Sequence, residues 1–315
     1  MKISVIIPSY RVKKHILGVI SKIGKEVSRI YVIDDKCPEK SGEYVQNNCK
    51  DKRVKIIYHE INRGVGGAMI SGYQASLLEG FDIAVKIDGD GQMDPKLLPK
   101  FVAPILRGEA DYTKGNRFFN PEYLSKMPKV RLVGNAGLSF INKAVSGYWD
   151  IMDPTNGYTA IHSTALSMLP FDKLDNRYFF ESDMLFRLNI TRAVVTDVPM
   201  TAIYGDEESN LSIKRVLFEF PLKYMNRLFK RIFYNYFLRD FNLGSLELFF
   251  GMILTTFGIF FGISKWFYGY FNQINASSGT VMVAALPIIV GFQLILSALQ
   301  YDVISVPKKV LSKLK

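Results

Sequence analysis

Two long apolar runs near the carboxyl end, 246–263 and 281–299, constrain this chain more than any other feature; the first carries Glu247 as its one charge and the second carries none. At about 1.5 Å of rise per residue, a helix over either run is long enough to cross a hydrocarbon core of about 30 Å. Between them, Lys265-Trp266-Phe267-Tyr268-Gly269-Tyr270 reads as an aromatic belt at a membrane interface. Lys308, Lys309, Lys313 and Lys315 follow the second run, basic residues also precede the first, and the connection holds a single Lys. The positive-inside rule then puts both ends of this hairpin in the cytoplasm. At the other end of the sequence, the apolar run after Met1 is too short for a secretory leader and reads as a first strand, so the domain it opens is expected to stay in the cytoplasm.

Upstream of the hairpin, 212–240 threads Lys214, Arg215, Lys223, Arg227, Lys230, Arg231 and Arg239 through aromatic and aliphatic residues. Pro221 is expected to split this stretch into two helices. A basic amphipathic helix of this kind suits a membrane surface; the alternative is a solvated face packed on the domain's own core. The formal net charge of +11 is concentrated beside apolar segments, which favours an anionic lipid surface or a phosphorylated substrate over nucleic acid. Cys37 and Cys49 have no metal-ligand spacing and read as ordinary reduced thiols.

Residues 1–118 alternate short Val/Ile-rich runs (3–7, 30–33, 54–58, 83–87, 112–114) with helical stretches such as 68–78 and 96–106. That alternation predicts βαβ units and a mainly parallel, Rossmann-like sheet. Ligands bind such sheets at the carboxyl ends of the strands. The residues there are Pro8-Ser9-Tyr10, Asp34-Asp35, Asn62-Arg63-Gly64, Asp88-Gly89-Asp90 and Gly115-Asn116-Arg117. From 120 to 205 the regularity loosens; 153–157 carries turn chemistry and a helix is expected around 180–185.

Asp88-Gly89-Asp90 is the sharpest motif. Two carboxylates one residue apart at a strand end repel one another unless they share a cation. A hard divalent ion, Mg2+ or Mn2+, bound with a diphosphate, answers that need, and Gln92 can add a neutral oxygen. The bland alternative is an Asp-Gly surface turn. Asp34 and Asp35 end the second strand as acceptors for a ribose or base. The run 62–67 is neither a GxGxxG nor a Walker loop, and suits a tight turn close to a ligand. Arg117 and Arg131 are candidate phosphate ligands. Glu181 and Asp183 are candidates for a base or acceptor-site carboxylate, or else an acidic pair favoured at a helix N-terminus. His15, His59 and His162 are scattered and carry no assigned chemistry.

In order, Val5-Ile6-Ile7-Pro8-Ser9-Tyr10, Val32-Ile33-Asp34-Asp35, Asn62-Arg63-Gly64, Asp88-Gly89-Asp90-Gly91-Gln92 and Gly115-Asn116-Arg117-Phe118 resemble glycosyltransferase family 2, of GT-A fold. Within it the chain is most similar to the polyprenyl-phosphate glycosyltransferase branch. The resemblance implies that Pro8, Tyr10, Asp35 and neighbouring Asp34, Asn62 and Gly64 meet a nucleotide sugar. It implies that Asp88, Asp90 and Gln92 organise metal and diphosphate, that Arg117 and Arg131 meet donor or lipid phosphate, and that Asn135 and Glu181 lie near sugar or acceptor. There are departures. The family's DDxS reads Asp34-Asp35-Lys36-Cys37, and its Arg-x-x-Gly-x-Ser-Lys corresponds to Tyr204-Gly205-Asp206-Glu207-Glu208-Ser209-Asn210, with Arg and Lys replaced. Lys214 and Arg215 are candidate substitutes toward the acceptor phosphate.

The expected organisation is a GT-A domain over 1–210, interfacial amphipathic helices over 211–242, and a transmembrane hairpin with a basic cytoplasmic tail over 243–315. The expected activity is inverting transfer of a sugar from a nucleotide diphosphate sugar to a polyprenyl phosphate, with a divalent cation. Expected partners are the donor, the lipid acceptor, the bilayer and a second copy of the chain. The rivals are transfer to a lipid-linked or glycan hydroxyl, which requires a base such as Glu181 or Asp183, and a non-catalytic membrane adaptor.

Overall fold

The computed structural model describes residues 1–119, 129–201 and 213–314, apart from the side chains of 129–133, 135 and 213–218. The chain forms two compact units, Met1–Leu228 together with Pro307–Lys315, and Phe229–Val306.

The first unit is built on a seven-stranded sheet of order β3-β2-β1-β4-β6-β5-β7, with β1 Ile3–Ser9, β2 Val27–Asp34, β3 Val54–Tyr58, β4 Ile83–Lys86, β5 Tyr112–Asn116, β6 Thr159–His162 and β7 Val195–Pro199. All five expected strands are present. β6 and β7 are additional, and β6 runs antiparallel to β4 and β5 while every other pairing is parallel. Strand β1 is apolar on both faces over 5–7, as a sheet covered on both sides requires; Val5, Ile6 and Ile7 are wholly buried. Helix α1 is Ile16–Ser21, α2 Ser41–Asn48, α3 Gly64–Leu78 and α4 Leu98–Leu106. On α3, a Cβ at Gly72 would meet Ile6 Cγ2 at 2.3 Å, so glycine is what lets this helix lie against the central strand. Helix α5 is Lys129–Ser146, α6 Ser163–Ser167, α7 Phe180–Ile190 and α8 Ile213–Ile232.

One correction concerns Pro221. It sits inside the continuous helix α8 and does not divide it. The proline costs one backbone hydrogen bond. Next to it, Phe220 and Tyr224 stack edge-on against Phe179, and the Tyr224 hydroxyl takes hydrogen bonds from Asn142 Nδ2 at 2.8 Å and pairs with Ser182 Oγ at 3.1 Å. That packing outweighs the break.

In the second unit, a π-helical turn, Phe233–Arg239, precedes α9 Leu243–Asn272 and α10 Ser278–Ile304. Both helices are long and apolar enough to cross a membrane, with mean hydropathies of 1.9 and 2.3. They pack through small residues: a Cβ on Gly251 would meet the Gly291 carbonyl at 2.9 Å, and one on Gly258 the Ala284 carbonyl at 2.7 Å. At the base of the hairpin, buried Arg231 forks onto Asp302 at 2.6 and 3.0 Å, with the Tyr236 hydroxyl donating to the same carboxylate at 3.0 Å. The aromatic run Trp266–Tyr270, expected in the connection, lies within α9 instead, and the connection shrinks to the residues after Asn272. Every residue of that run can hold a helix, so hydropathy alone marked the span too short.

The last residues return to the first unit. The Leu311 N–H donates to both oxygens of fully buried Asp111 at 3.0 Å, and Val310 and Leu311 are buried. Asp111 also accepts from Val194 N at 2.9 Å, so it joins the tail to the starts of β5 and β7. Asp111→Ala leaves two buried N–H groups without an acceptor and is expected to destabilise the first unit by about 2–4 kcal/mol. A denaturation midpoint measured in detergent, unchanged by the substitution, would show that the tail is not part of this unit.

Candidate active site

The carboxyl ends of β1, β2, β4 and β5 and the start of β6 face one edge of the sheet. At the end of β1, Tyr10 is 40% exposed, with the Arg11 guanidinium 5.5 Å from its ring centroid. Pro8 lies in the strand just before it. Asp34 and Asp35 are buried and turned inward. Asp34 accepts from Cys37 N at 2.8 Å and Gly42 N at 2.6 Å, fixing the turn into α2. Asp35 accepts from Arg63 N and Gly64 N, both at 2.7 Å, and from His59 Nδ1 at 2.8 Å, while Asn62 Nδ2 reaches its main-chain carbonyl at 3.0 Å. The two aspartates therefore shape this end of the site, and the groups left exposed on it are Tyr10, Arg11, Asn62 and Arg63. Cys37, where the family has serine, accepts from Arg11 N at 3.1 Å and pairs with Ser41 Oγ at 3.0 Å.

Gly64, at φ 83, opens α3 in the left-handed region. A Cβ at Gly66 would meet the Asp175 carbonyl at 2.2 Å. The glycines of 62–67 thus let the chain just before α7 pass close by; they do not form a phosphate cradle.

Beyond β4, Gly91 turns the chain at φ 82, and Asp90 Oδ1 accepts from Gln92 N at 2.9 Å. Asp88 and Asp90 are half-buried. Burial raises the Asp88 pKa; nearby Lys86 opposes this, and Asp90 and Glu181 add to it. Such a cluster of carboxylates favours binding a cation. Among the described residues no group of three His, Cys, Asp or Glu side chains could hold a metal. Asp88, Asp90 and Gln92 offer hard oxygen donors only, which fits a Mg2+-like or Mn2+-like ion whose remaining positions go to substrate oxygens.

Lys86 is buried inside the β4 end. Its Nζ lies 2.6 Å from Glu181 Oε1 and 3.5 Å from Asp88 Oδ1. Burial lowers its pKa, but Asp88 and Glu181 outweigh that and hold it above the ordinary lysine value. Glu181 sits in the first turn of α7, and so does Asp183, which is fully buried and held by Arg187 Nε at 3.0 Å and Arg227 Nε at 2.6 Å. Arg117, just past β5, forks onto fully buried Asp153 through Nε at 2.7 Å and Nη2 at 2.9 Å.

The structure thus brings Asp88, Asp90, Gln92, Arg117 and Glu181 to one edge, with Tyr10 and Asn62 further along it. The side chains of Arg131, Asn135, Lys214 and Arg215, and the stretch Tyr204–Asn210, lie outside the described residues. Sequence reasoning missed Lys86, Lys114, Asp153 and Asp197. Lys86 and Lys114 did leave a signal, a lone charge within a run otherwise reading as a buried strand. Register places Lys86, Thr159, Lys114 and Asp197 in one row across β4, β6, β5 and β7.

Residues 4–169 match the family model described as glycosyl transferase family 2. A UDP-N-acetylglucosamine–dolichyl-phosphate N-acetylglucosaminyltransferase of Methanococcus voltae is 31% identical over 218 residues, 65% of this chain and 86% of that one. An undecaprenyl-phosphate mannosyltransferase of Micrococcus luteus is 26% identical, over 64% of this chain and 84% of that one. Among solved structures, glucosyl-3-phosphoglycerate synthase from Mycobacterium tuberculosis, in complex with Mn2+, UDP-glucose and phosphoglyceric acid, superposes with a TM-score of 0.53 at 18% identity, covering 73% of this chain and 79% of that one. At that identity the likeness is one of fold, and the fold is GT-A. The chain belongs to glycosyltransferase family 2.

Proposed function

We propose that the protein transfers a sugar from a nucleotide diphosphate sugar to a polyprenyl phosphate at the cytoplasmic face of a membrane, with inversion at the anomeric carbon. The observation that carries this reading is the state of the two candidate bases. Glu181 is tied to the buried Lys86 ammonium at 2.6 Å, and Asp183 is enclosed by two arginines. A hydroxyl acceptor needs a base to remove its proton. A phosphate monoester brings an oxygen that is already anionic: it attacks the anomeric carbon, the bond to the diphosphate breaks on the opposite face, and no proton moves.

A divalent cation on Asp88, Asp90 and Gln92 would neutralise charge on the departing diphosphate. The chain's own residues do the rest. Tyr10 and the loops braced by Asp34 and Asp35 form the nucleoside end, Lys86 sets the charge beneath Asp88, and Arg117, aligned by Asp153, presents a fixed guanidinium to a phosphate. The names of the Methanococcus relative and of the complex with Mn2+ and UDP-glucose put UDP-sugars first among donors to test. The names of the relatives that act on dolichyl and undecaprenyl phosphates support the acceptor class.

The orientation is supported by the tail. If α9 and α10 both cross the bilayer, a tail bound to Asp111 within the catalytic unit keeps the C-terminus and the site on one face. Lys308, Lys309 and Lys313 support the cytoplasm as that face, by the positive-inside rule.

Purified protein with labelled UDP- and GDP-sugars, Mn2+ and undecaprenyl phosphate is expected to yield a lipid-linked monophosphate sugar; no such product from any donor would sink the reading. Asp90→Ala is expected to lower turnover at least a hundredfold, and near-normal turnover would remove the metal assignment. Glu181→Gln, which keeps an oxygen for Lys86 to donate to, is expected to retain at least a tenth of wild-type kcat, whereas a loss of three or more orders with unchanged Tm and nucleotide affinity would favour the hydroxyl-acceptor alternative. A cysteine at Asn275 should react with an impermeant maleimide in whole cells and one at Lys308 should not; the reverse pattern would overturn the orientation.

A further inference from the structure

Lys114 is fully buried on β5 and, among the described residues, makes no ion pair; its Nζ donates to the main-chain carbonyl of Asn156. Burial pulls its pKa down to about 8, against the raising influence of Glu181, Asp153 and Asp197 and with a further lowering from Lys86. A lysine whose pKa falls on folding destabilises the folded state below about pH 8, and the penalty fades as pH rises toward the unfolded value. An apolar side chain of similar length would fill the same space without it. A buried charge kept under those conditions points to a use.

The carbonyl it holds belongs to the turn at 153–157, which bridges two parts of the site. At one end Asp153 receives the Arg117 fork at 2.7 and 2.9 Å. At the other end is Gly157, where an added Cβ would lie 2.7 Å from Asp88 Oδ2 and 2.9 Å from Lys86 Nζ. Gly157 is not among the residues of positive φ, so glycine serves space at this point and not backbone conformation. Asn156 is seated from two further sides. Tyr158 N donates to its Oδ1 at 2.9 Å, and Gly115, beside Lys114, leaves room for it, since a Cβ there would meet Asn156 Nδ2 at 2.9 Å.

We propose that Lys114 is a positioning residue of the donor site: by holding the Asn156 carbonyl it fixes the 153–157 turn, and through that turn the Arg117 guanidinium and the Asp88 carboxylate, where the diphosphate is received. This rests on the donor half of the function proposed above and is independent of the acceptor. Lys114 touches no substrate; it acts through the turn.

The test uses the full-length protein in detergent, with calorimetric titration of UDP and, in parallel, GDP in the presence of Mn2+, and a thermal melt of each variant. Lys114→Met is expected to weaken nucleotide binding at least tenfold and to raise donor KM, with a Tm no lower than wild type. A purely structural lysine would give the opposite, a lower Tm with unchanged affinity, and that result overturns the proposal. Gly157→Ala reaches the turn from its other end, pressing on Asp88 and Lys86, and is expected to weaken binding at least tenfold. Should Lys114→Met not fold, wild-type affinity in Gly157→Ala overturns the proposal by itself. Transfer to undecaprenyl phosphate is measured on the same wild-type preparation. Nucleotide binding without transfer refutes the acceptor reading and leaves this inference standing; transfer with normal binding in both variants refutes this inference alone. Wild type that binds neither nucleotide overturns both.

Discussion

The contact on which the site depends is the buried ion pair between Lys86 and Glu181, side chains 95 positions apart in sequence and 2.6 Å apart in space. A lone ammonium inside β4 would be strongly unfavourable; Glu181 is its nearer carboxylate and Asp88 its second. The pair therefore dictates where α7 starts relative to the sheet. With that start fixed, Asp183, two residues on, gathers Arg187 and Arg227 and moors α8 to α7. The same ammonium faces Asp88 at 3.5 Å, so the charge beneath the candidate metal site and the anchoring of α7 and α8 are a single electrostatic arrangement.

A second brace runs along the nucleoside end. Asp35, His59 and Ser71 form a chain of contacts, both at 2.8 Å, that has the outline of a nucleophilic triad. The chemistry argues otherwise. Asp35 already accepts two backbone N–H groups, and Ser71 lies within α3. The ring meets Asp35 through Nδ1 and Ser71 through Nε2, so both nitrogens are engaged in bracing. The chain thus holds the β3–α3 loop, whose glycines at 64 and 66 press against 175–176, just ahead of α7. The β3–α3 loop and the chain ahead of α7 are joined backbone to backbone, Gly67 N donating to the Asn176 carbonyl at 3.0 Å, and the closeness of that join accounts for glycine at 64 and 66.

These features divide cleanly into those that local pattern encodes and those it does not. The five leading strands, the residues at their ends and the two apolar helices were legible because apolar runs and their polar terminations lie within a few residues of one another. The insertion of antiparallel β6 between β4 and β5 was not, because a strand of four residues carries too little periodicity to declare itself. The burial of Asp34 and Asp35 was not legible either: a carboxylate that accepts backbone amides and one that faces a ligand look alike in sequence. Nor were the partners of Lys86 and Arg117, since ion pairs join residues through the tertiary fold. A lysine within an apolar run signals a buried polar partner but not its kind: Lys86 meets carboxylates and Lys114 a main-chain carbonyl.

The pairing of the basic side chains bears on how a phosphate is received. Much of the positive charge near the site is already matched: Arg117 with Asp153, Arg227 with Asp183, Lys223 with Asp175. A guanidinium held by a buried carboxylate is partly neutralised but wholly oriented. A loose arginine would lose conformational freedom on meeting an anion, whereas Arg117, fixed by the fork and lying 5.8 Å from the Phe118 ring centroid, has already lost it. What Arg117 offers a phosphate is therefore preorganisation more than charge. Under the proposed function, a guanidinium that is oriented but partly neutralised would receive a phosphate without holding an anionic product as long as an unpaired one would.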